Sequence, residues 1–237
     1  MPESPRLQLF LDAVLLGKAR PYTRPGSISA IDKRPAPDRV RIETMGLVGD
    51  EQGDPRVHGG PDKAIHHYPF DHYGSWRAEL GDLDRLRAAG AFGENLSSSG
   101  LTEREVCLGD RFRVGEAVLE ISQGRQPCWK LNDRFDVPDM ARRVQASGRT
   151  GWYYRVLQPG TVAAGDVMTL DDRPFPQWSL RRLGALLFER RLDADELRPA
   201  LDLPLVPSWR KLIETRLHRQ EVEDWGKRIE GPASSGD

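Results

Sequence analysis

A chain of 237 residues with 35 Lys and Arg against 36 Asp and Glu has a net charge of -1 and no block of one sign. That balance excludes the basic footprint of a nucleic-acid binder and the polybasic face of a membrane-surface protein, and it favours small-molecule partners. The length suits one medium core with a smaller appended unit, while two cysteines, Cys107 and Cys128, are too few for a secreted disulfide framework. Both are therefore expected as thiols in a reducing cytoplasm.

The N-terminal apolar stretch LQLFLDAVLLGKA (7–19) contains Gln8 and Asp12 and follows no basic leader, so it reads as a strand pair or one long strand rather than a signal or membrane segment. Short alternating runs follow, at VRIETM (40–45), RFRVG (111–115), AVLEIS (117–122), WYYRVL (152–157) and VMTL (167–170). Gly and Pro punctuate them too densely and unevenly for a βαβ alternation. The expectation is a mainly β domain over residues 1–172, a closed or nearly closed barrel with helices packed outside. Two helices are predicted between the strands, at 71–81 and at 138–148, where Pro138 suits a first turn and Gly148 a C-terminal stop.

After the stiff linker DDRPFP (171–176), residues 173–230 read as a three-helix domain. Its first helix starts at Ser179 and its second near Asp193. The third is capped by Ser208 and carries Trp209, Leu212, Ile213 and Leu217 on one stripe. No Cys or His cluster marks this part as chemical. The tail from 231 to 237 is expected to be disordered.

Residues with chemistry concentrate in three stretches. In GLVGDEQGDPRVHGGPDKAIHHY (46–68), Gly59 and Gly60 permit positive φ and a close approach of backbone amides to an anion, with Arg56, His58 and Lys63 supplying charge; the same Gly-Gly-Pro also serves simply to turn a chain. His66 and His67 are adjacent, so on a strand they face opposite ways and cannot both join Cys128 around one zinc ion, and no paired-Cys motif exists. A core histidine is the plain alternative for His67. In GAFGENLSSSGL, Asn95 offers an amide donor and a carbonyl acceptor to the edge of a heteroaromatic ring, or it caps the local turn; Glu94 is expected to face away.

In SQGRQPCWKL (122–131) the chain leaves a strand through Gly124, Arg125 and Pro127 to Cys128, a position expected to be rigid and accessible. Nearby cations such as Arg125 and Lys130 favour a thiolate, and a metal deprotonates a thiol outright; a buried inert cysteine is the plain alternative. Cys107, within the strand-like EREVCLGD, fits the inert description better.

The succession GLVGDEQ, VHGGPDKAIHHYP, GAFGENLSSSGL, LGDRFRVGEAVLEISQ, QPCWKL and GRTGWYYRVLQPGTV resembles the MOSC-domain family, named for the C-terminal domain of molybdenum cofactor sulfurases, and specifically its YiiM-like branch. The resemblance covers residues 8–172, and the segment after 176 is similar to the three-helix domain that follows in that branch. It implies a β-barrel and a pyranopterin molybdenum cofactor. Cys128 matches the metal-ligating cysteine, His58, Gly59, Gly60 and Pro61 match the HGGP segment, and Asn95 and Arg125 match cofactor contacts. Gly124 departs from the pattern, which has proline there, and a looser strand end is expected from it. The resemblance also implies reduction of N-hydroxylated compounds, such as hydroxylamino purines, to amines. With no GxGxxG unit and no cysteine cluster for iron and sulfur, electrons would come from a separate reductase, a flavoprotein for instance. His67, or Asp62, is the expected proton relay. A non-catalytic cofactor-delivery module and a Cys128 persulfide carrier are the alternatives, and a homodimer is compatible with all three.

Overall fold

The computed structural model describes residues 7–53 and 59–232. β1 (Gln8–Gly17) is one long strand rather than a pair, and it pairs in succession with three partners. Five short strands follow it: β2 (Arg20–Pro21), β3 (Ile28–Ser29), β4 (Lys33–Pro35), β5 (Val40–Glu43) and β6 (Gly46–Leu47). β7 (Ile65–His67) and β8 (Leu96–Ser98) flank helix α1 (Asp71–Leu80). The β9 (Arg111–Val114) and β10 (Ala117–Gly124) hairpin then leads into the short helices α2 (Lys130–Phe135) and α3 (Met140–Ser147). β11 (Trp152–Gln158), β12 (Gly160–Val162) and β13 (Val167–Asp172) complete the sheet strands.

The order β13-β9-β10-β11-β7-β8-β1, with β1 also paired to β13, is a closed ring of seven strands. β1 makes the closure possible: Gln8–Phe10 lies against β13, and after a register shift between Leu11 and Ala13 the strand continues along β8. Such an irregularity bends a strand locally, and closure leaves no edge exposed within the ring. Alternation along the strands turns Leu11, Val14, Phe112, Val114, Leu119, Ile121 and Met168 inward, all of them buried.

A second buried cluster sits outside the barrel. Tyr68, Tyr73 and Trp76 pack with Phe92, Leu131, Phe135, Met140 and Val144, so α1, α2 and α3 grip the turn that precedes Asn95. Phe92 stacks on Tyr68 with ring centroids 4.0 Å apart and contacts Phe135 at 5.0 Å. Truncating a buried phenylalanine to alanine costs about 3–5 kcal/mol, so this cluster fixes the turn firmly.

The expected helices form at nearly the predicted bounds, with differences at the caps. Gly148 ends α3 at φ 70, as a C-terminal stop should, but Pro138 lies in the turn ahead of the N-cap, Asp139. The C-terminal region holds α4 (Leu180–Phe188), α5 (Ala194–Leu197), α6 (Pro207–Arg219) and α7 (Gly226–Glu230). Ser179 caps α4 by accepting the Arg182 N–H, and Asp193 caps α5 by accepting that of Asp195. Ser208 does not cap α6. Val206 holds that position and Pro207 fills the first helical turn, where a missing N–H costs nothing.

Trp178, Leu183, Leu187, Trp209 and Ile213 belong to the same buried cluster as the barrel interior. Arg216, fully buried, donates to the Leu186 and Leu187 carbonyls at 2.8 Å each and pairs with Glu223, closing the C-terminal end of α4. No helix among the described residues is long and apolar enough to cross a membrane. The expected disorder of the tail concerns residues 233–237, which lie outside the described residues, while Gly231 and Pro232 lie within them.

Candidate functional site

Three of the chemistry-bearing stretches converge at one end of the barrel. The loop after β6 brings Asp50, the entry to β7 brings Lys63 and His66, the turn before β8 brings Asn95, and the end of β10 brings Arg125 and Cys128. Together with Lys33, Lys130, Phe92 and Tyr153 they line a cavity of about 90 Å³.

Cys128 follows the end of β10 directly, because α2 begins two residues later and the Cys128 carbonyl accepts the Leu131 N–H at 3.0 Å. It is less accessible than expected, with 9% of its surface exposed. Gly124 pairs with Trp152 in the ladder, and a Cβ there would lie 3.4 Å from the Trp209 ring. The Arg125 N–H prolongs that ladder by donating to the Gly151 carbonyl at 2.9 Å.

The electrostatics of the cavity are those of a buried cationic wall. Arg125 is 6% exposed, and its Nη1 is buried without a hydrogen-bond partner among the described residues. Burial pushes the Lys63 ammonium down from the usual lysine range, opposed by the charges of Cys128 and Asp62. Burial likewise lowers Lys33, opposed by Asp50, which it meets at 2.5 and 2.7 Å. His66 is held well below the ordinary imidazole range, first by burial and then by the Arg125 charge, so it is neutral at pH 7. Burial raises the Tyr153 phenol, with Arg125 opposing it.

Asn95 is in the site, but its amide serves the protein. Nδ2 donates to Asp50 Oδ2 at 2.8 Å and to the Leu15 carbonyl at 3.2 Å, while Oδ1 accepts the His66 N–H at 3.1 Å. Both donors are used, which corrects the expectation that they face a ligand ring; the side chain locks β1, β7 and the Asp50 loop together. Glu94 faces away as expected, buried and accepting from the Gly90 and Phe92 amides and the Tyr73 hydroxyl.

Other expected residues are placed elsewhere. His67 is fully buried in the barrel interior, stacked on Trp152 at 4.5 Å and bonded to Ser98 Oγ at 2.9 Å, and burial lowers its pKa to about 3. Asp62 is taken up by Arg155 at 2.8 Å outside the cavity. Neither reaches the cavity wall as a proton relay from where it stands. Gly60, at φ 95, starts the 3-10 turn Pro61–Lys63 and accepts the Lys63 N–H, so its glycine is accounted for by the turn; neither Gly59 nor Gly60 lines the cavity. Arg56 and His58 lie outside the described residues. Cys107 is buried, with burial raising its thiol and its Sγ 3.6 Å from the Pro176 carbonyl.

Lys33, Asp50, His66 and Tyr153 are among the lining residues to which the sequence analysis gave no site role. Asp50 sits inside the quoted GLVGDEQ motif, which was the available signal; Lys33 had none, because only the pairing of β4 with β1 brings it near. Among the described residues no group of three or more His, Cys, Asp and Glu is gathered that could hold a metal ion. A metal here would take Cys128 as its protein ligand and its remaining ligands from a cofactor.

A family model described as the MOSC domain matches residues 54–169, and one described as the YiiM-like 3-alpha helix domain matches residues 178–220. The chain is 39% identical over 219 residues to Protein YiiM of Escherichia coli strain K12, covering 92% of this chain and 97% of that protein. It is 37% identical over 190 residues to a protein from Gibberella moniliformis named Reductase, covering 80% of this chain and 34% of that much longer protein. The crystal structure of YiiM from Escherichia coli superposes with a TM-score of 0.79 at 33% identity, covering 94% of this chain and 98% of that one. That of YiiM from Geobacillus stearothermophilus gives 0.75 at 32%, covering 89% and 100%.

Proposed function

The chain belongs to the MOSC family, in its YiiM-like branch, and from that premise we propose that it binds a molybdenum cofactor through Cys128 and reduces N-hydroxylated compounds to amines. The observation that carries the reading is one cavity holding a thiol beside a buried guanidinium whose Nη1 has no partner among the described residues. A soft-metal ligand next to cations suits a metal centre with anionic substituents.

In this reading Cys128 Sγ is the metal ligand, and Arg125 and Lys63 neutralise the cofactor's anionic groups. The cofactor, when bound, supplies the two electrons that break the N–O bond. The balance is R–NH–OH plus two electrons and two protons giving R–NH2 and water. Lys33 Nζ, on the cavity wall with its proton loosened by burial, gives a proton to the departing hydroxyl, and Asp50 holds that ammonium in place. Neutral His66 is not an acid at pH 7. Electrons reach the site from a separate reductase of the flavoprotein class. The fungal relative's name, Reductase, supports the reaction type.

The test is molybdenum per chain for the wild type and Cys128→Ala, produced in a host with intact cofactor synthesis. A screen of N-hydroxylated bases with an artificial electron donor follows. Near one metal in the wild type and little in the variant supports the reading. Stoichiometric metal without turnover would leave a delivery module, and persulfide on Cys128 without metal would leave a sulfur carrier.

A further inference from the structure

The last described segment runs behind the cysteine without entering the cavity. Both neighbours of Cys128 are held by one residue of α7: the Arg228 carbonyl accepts the Trp129 N–H at 2.8 Å, and Arg228 Nη1 donates to the Pro127 carbonyl. Its Nη2 reaches Gln145 Oε1 in α3 at 2.7 Å, so the cysteine loop is tied through one guanidinium to a helix of the aromatic cluster. Next in the chain, the Ile229 carbonyl accepts Asn132 Nδ2 at 2.9 Å, and Asn132 Oδ1 in turn accepts the Ala141 N–H at 2.7 Å. Gly231 closes the strap over Trp129 at φ 84, where a Cβ would come within 2.7 Å of Trp129 Cγ.

These bonds have a common target. Arg228 spends its half-buried guanidinium on the loop carbonyl and on α3, and among the charges that act on it is that of Cys128. The two family matches end at residues 169 and 220, so the strap lies beyond both. We infer that Arg228 is a positioning residue for Cys128 and that residues 226–232 form a strap that seats the Pro127–Trp129 loop, keeping the thiol turned into the cavity and screened from bulk solvent. The inference needs no bound metal and stands apart from the proposed reaction.

The experiment alkylates the full-length, metal-free protein with iodoacetamide at fixed pH and follows Cys128 and Cys107 separately by peptide mass spectrometry. Buried Cys107 is the internal reference for global opening. Arg228→Met should raise the Cys128 rate about tenfold, the scale expected when two hydrogen bonds that resist local opening are lost, with Cys107 unchanged. Gly231→Ala, which lifts the strap without touching Arg228, should act in the same direction, and Arg228→Lys should fall between wild type and Arg228→Met. Removing a cation by itself slows thiol attack, so an increase reads position rather than charge. Unchanged Cys128 rates in Arg228→Met and Gly231→Ala, or Cys107 rising in proportion, would overturn the inference.

Discussion

Replacing Asn95 with leucine should destabilise the protein in the complete absence of any cofactor. The side chain is 4% exposed and serves three protein groups: the Asp50 carboxylate, the Leu15 carbonyl and the His66 N–H. Leucine of similar volume leaves two backbone groups buried without a partner and removes one donor from a buried carboxylate. Each such loss costs about 1–3 kcal/mol. Asp50 keeps Lys33 and the Gly17 N–H, so its share falls at the low end. Because the three bonds share one residue they do not simply add, and a total of about 3–5 kcal/mol is expected. For a chain of this size that lowers the melting midpoint by about 10 °C. Thermal melts of metal-free protein, followed by tryptophan fluorescence and far-UV circular dichroism, measure it. A midpoint within about 3 °C of wild type, on the same scale, would mean that Asn95 is not the lock described here and that its amide is kept for a ligand.

His67→Gln should cost about 1–3 kcal/mol at pH 7, through lost stacking on Trp152 and a weakened bond to Ser98, as urea titration will show. The native pKa of His67, about 3, lies below the unfolded value near 6.5, so the unfolded state binds more protons between the two. Stability therefore rises with pH across that window and is lost as pH falls from about 6.5 towards 3, at up to about 1.4 kcal/mol per unit; the glutamine variant should show a flatter acid limb. Gly151→Ala should destabilise by about 2–4 kcal/mol, since φ 69 disfavours a side chain and a Cβ would press on the His67 carbonyl and lie 2.9 Å from Tyr68 Cδ2. Chemical denaturation reads it, and an unaltered midpoint would contradict the packing. Arg216→Met should cost about 3–5 kcal/mol, because the Leu186 and Leu187 carbonyls and Glu223 lose their buried partner. Circular dichroism melts would show the loss, and a neutral substitution would exclude Arg216 as a structural tie.

Much of this molecule was legible along the chain because the information is local. Alternation in AVLEIS and WYYRVL fixed strands within a residue or two of their observed ends, and Gly148 and Ser179 mark helix limits by backbone geometry and capping that act within one turn. Cys128 was findable because a strand, a Pro-containing break and a thiol stand next to one another. What the chain order could not reveal is set by contacts between distant segments. The strand pleat separates His66 from His67, but β7 is buried on both faces, so only the packed neighbours decide that His66 lines the cavity and His67 fills the barrel. The Lys33–Asp50 pair arises where β4 and the loop after β6 meet, and the Asn95 amide is consumed there by partners 45 and 80 residues away in sequence. Arg228 reaches Pro127 across 101 residues. Propensity and spacing act over a few residues, whereas which polar groups end up sharing one buried space depends on how the whole barrel closes.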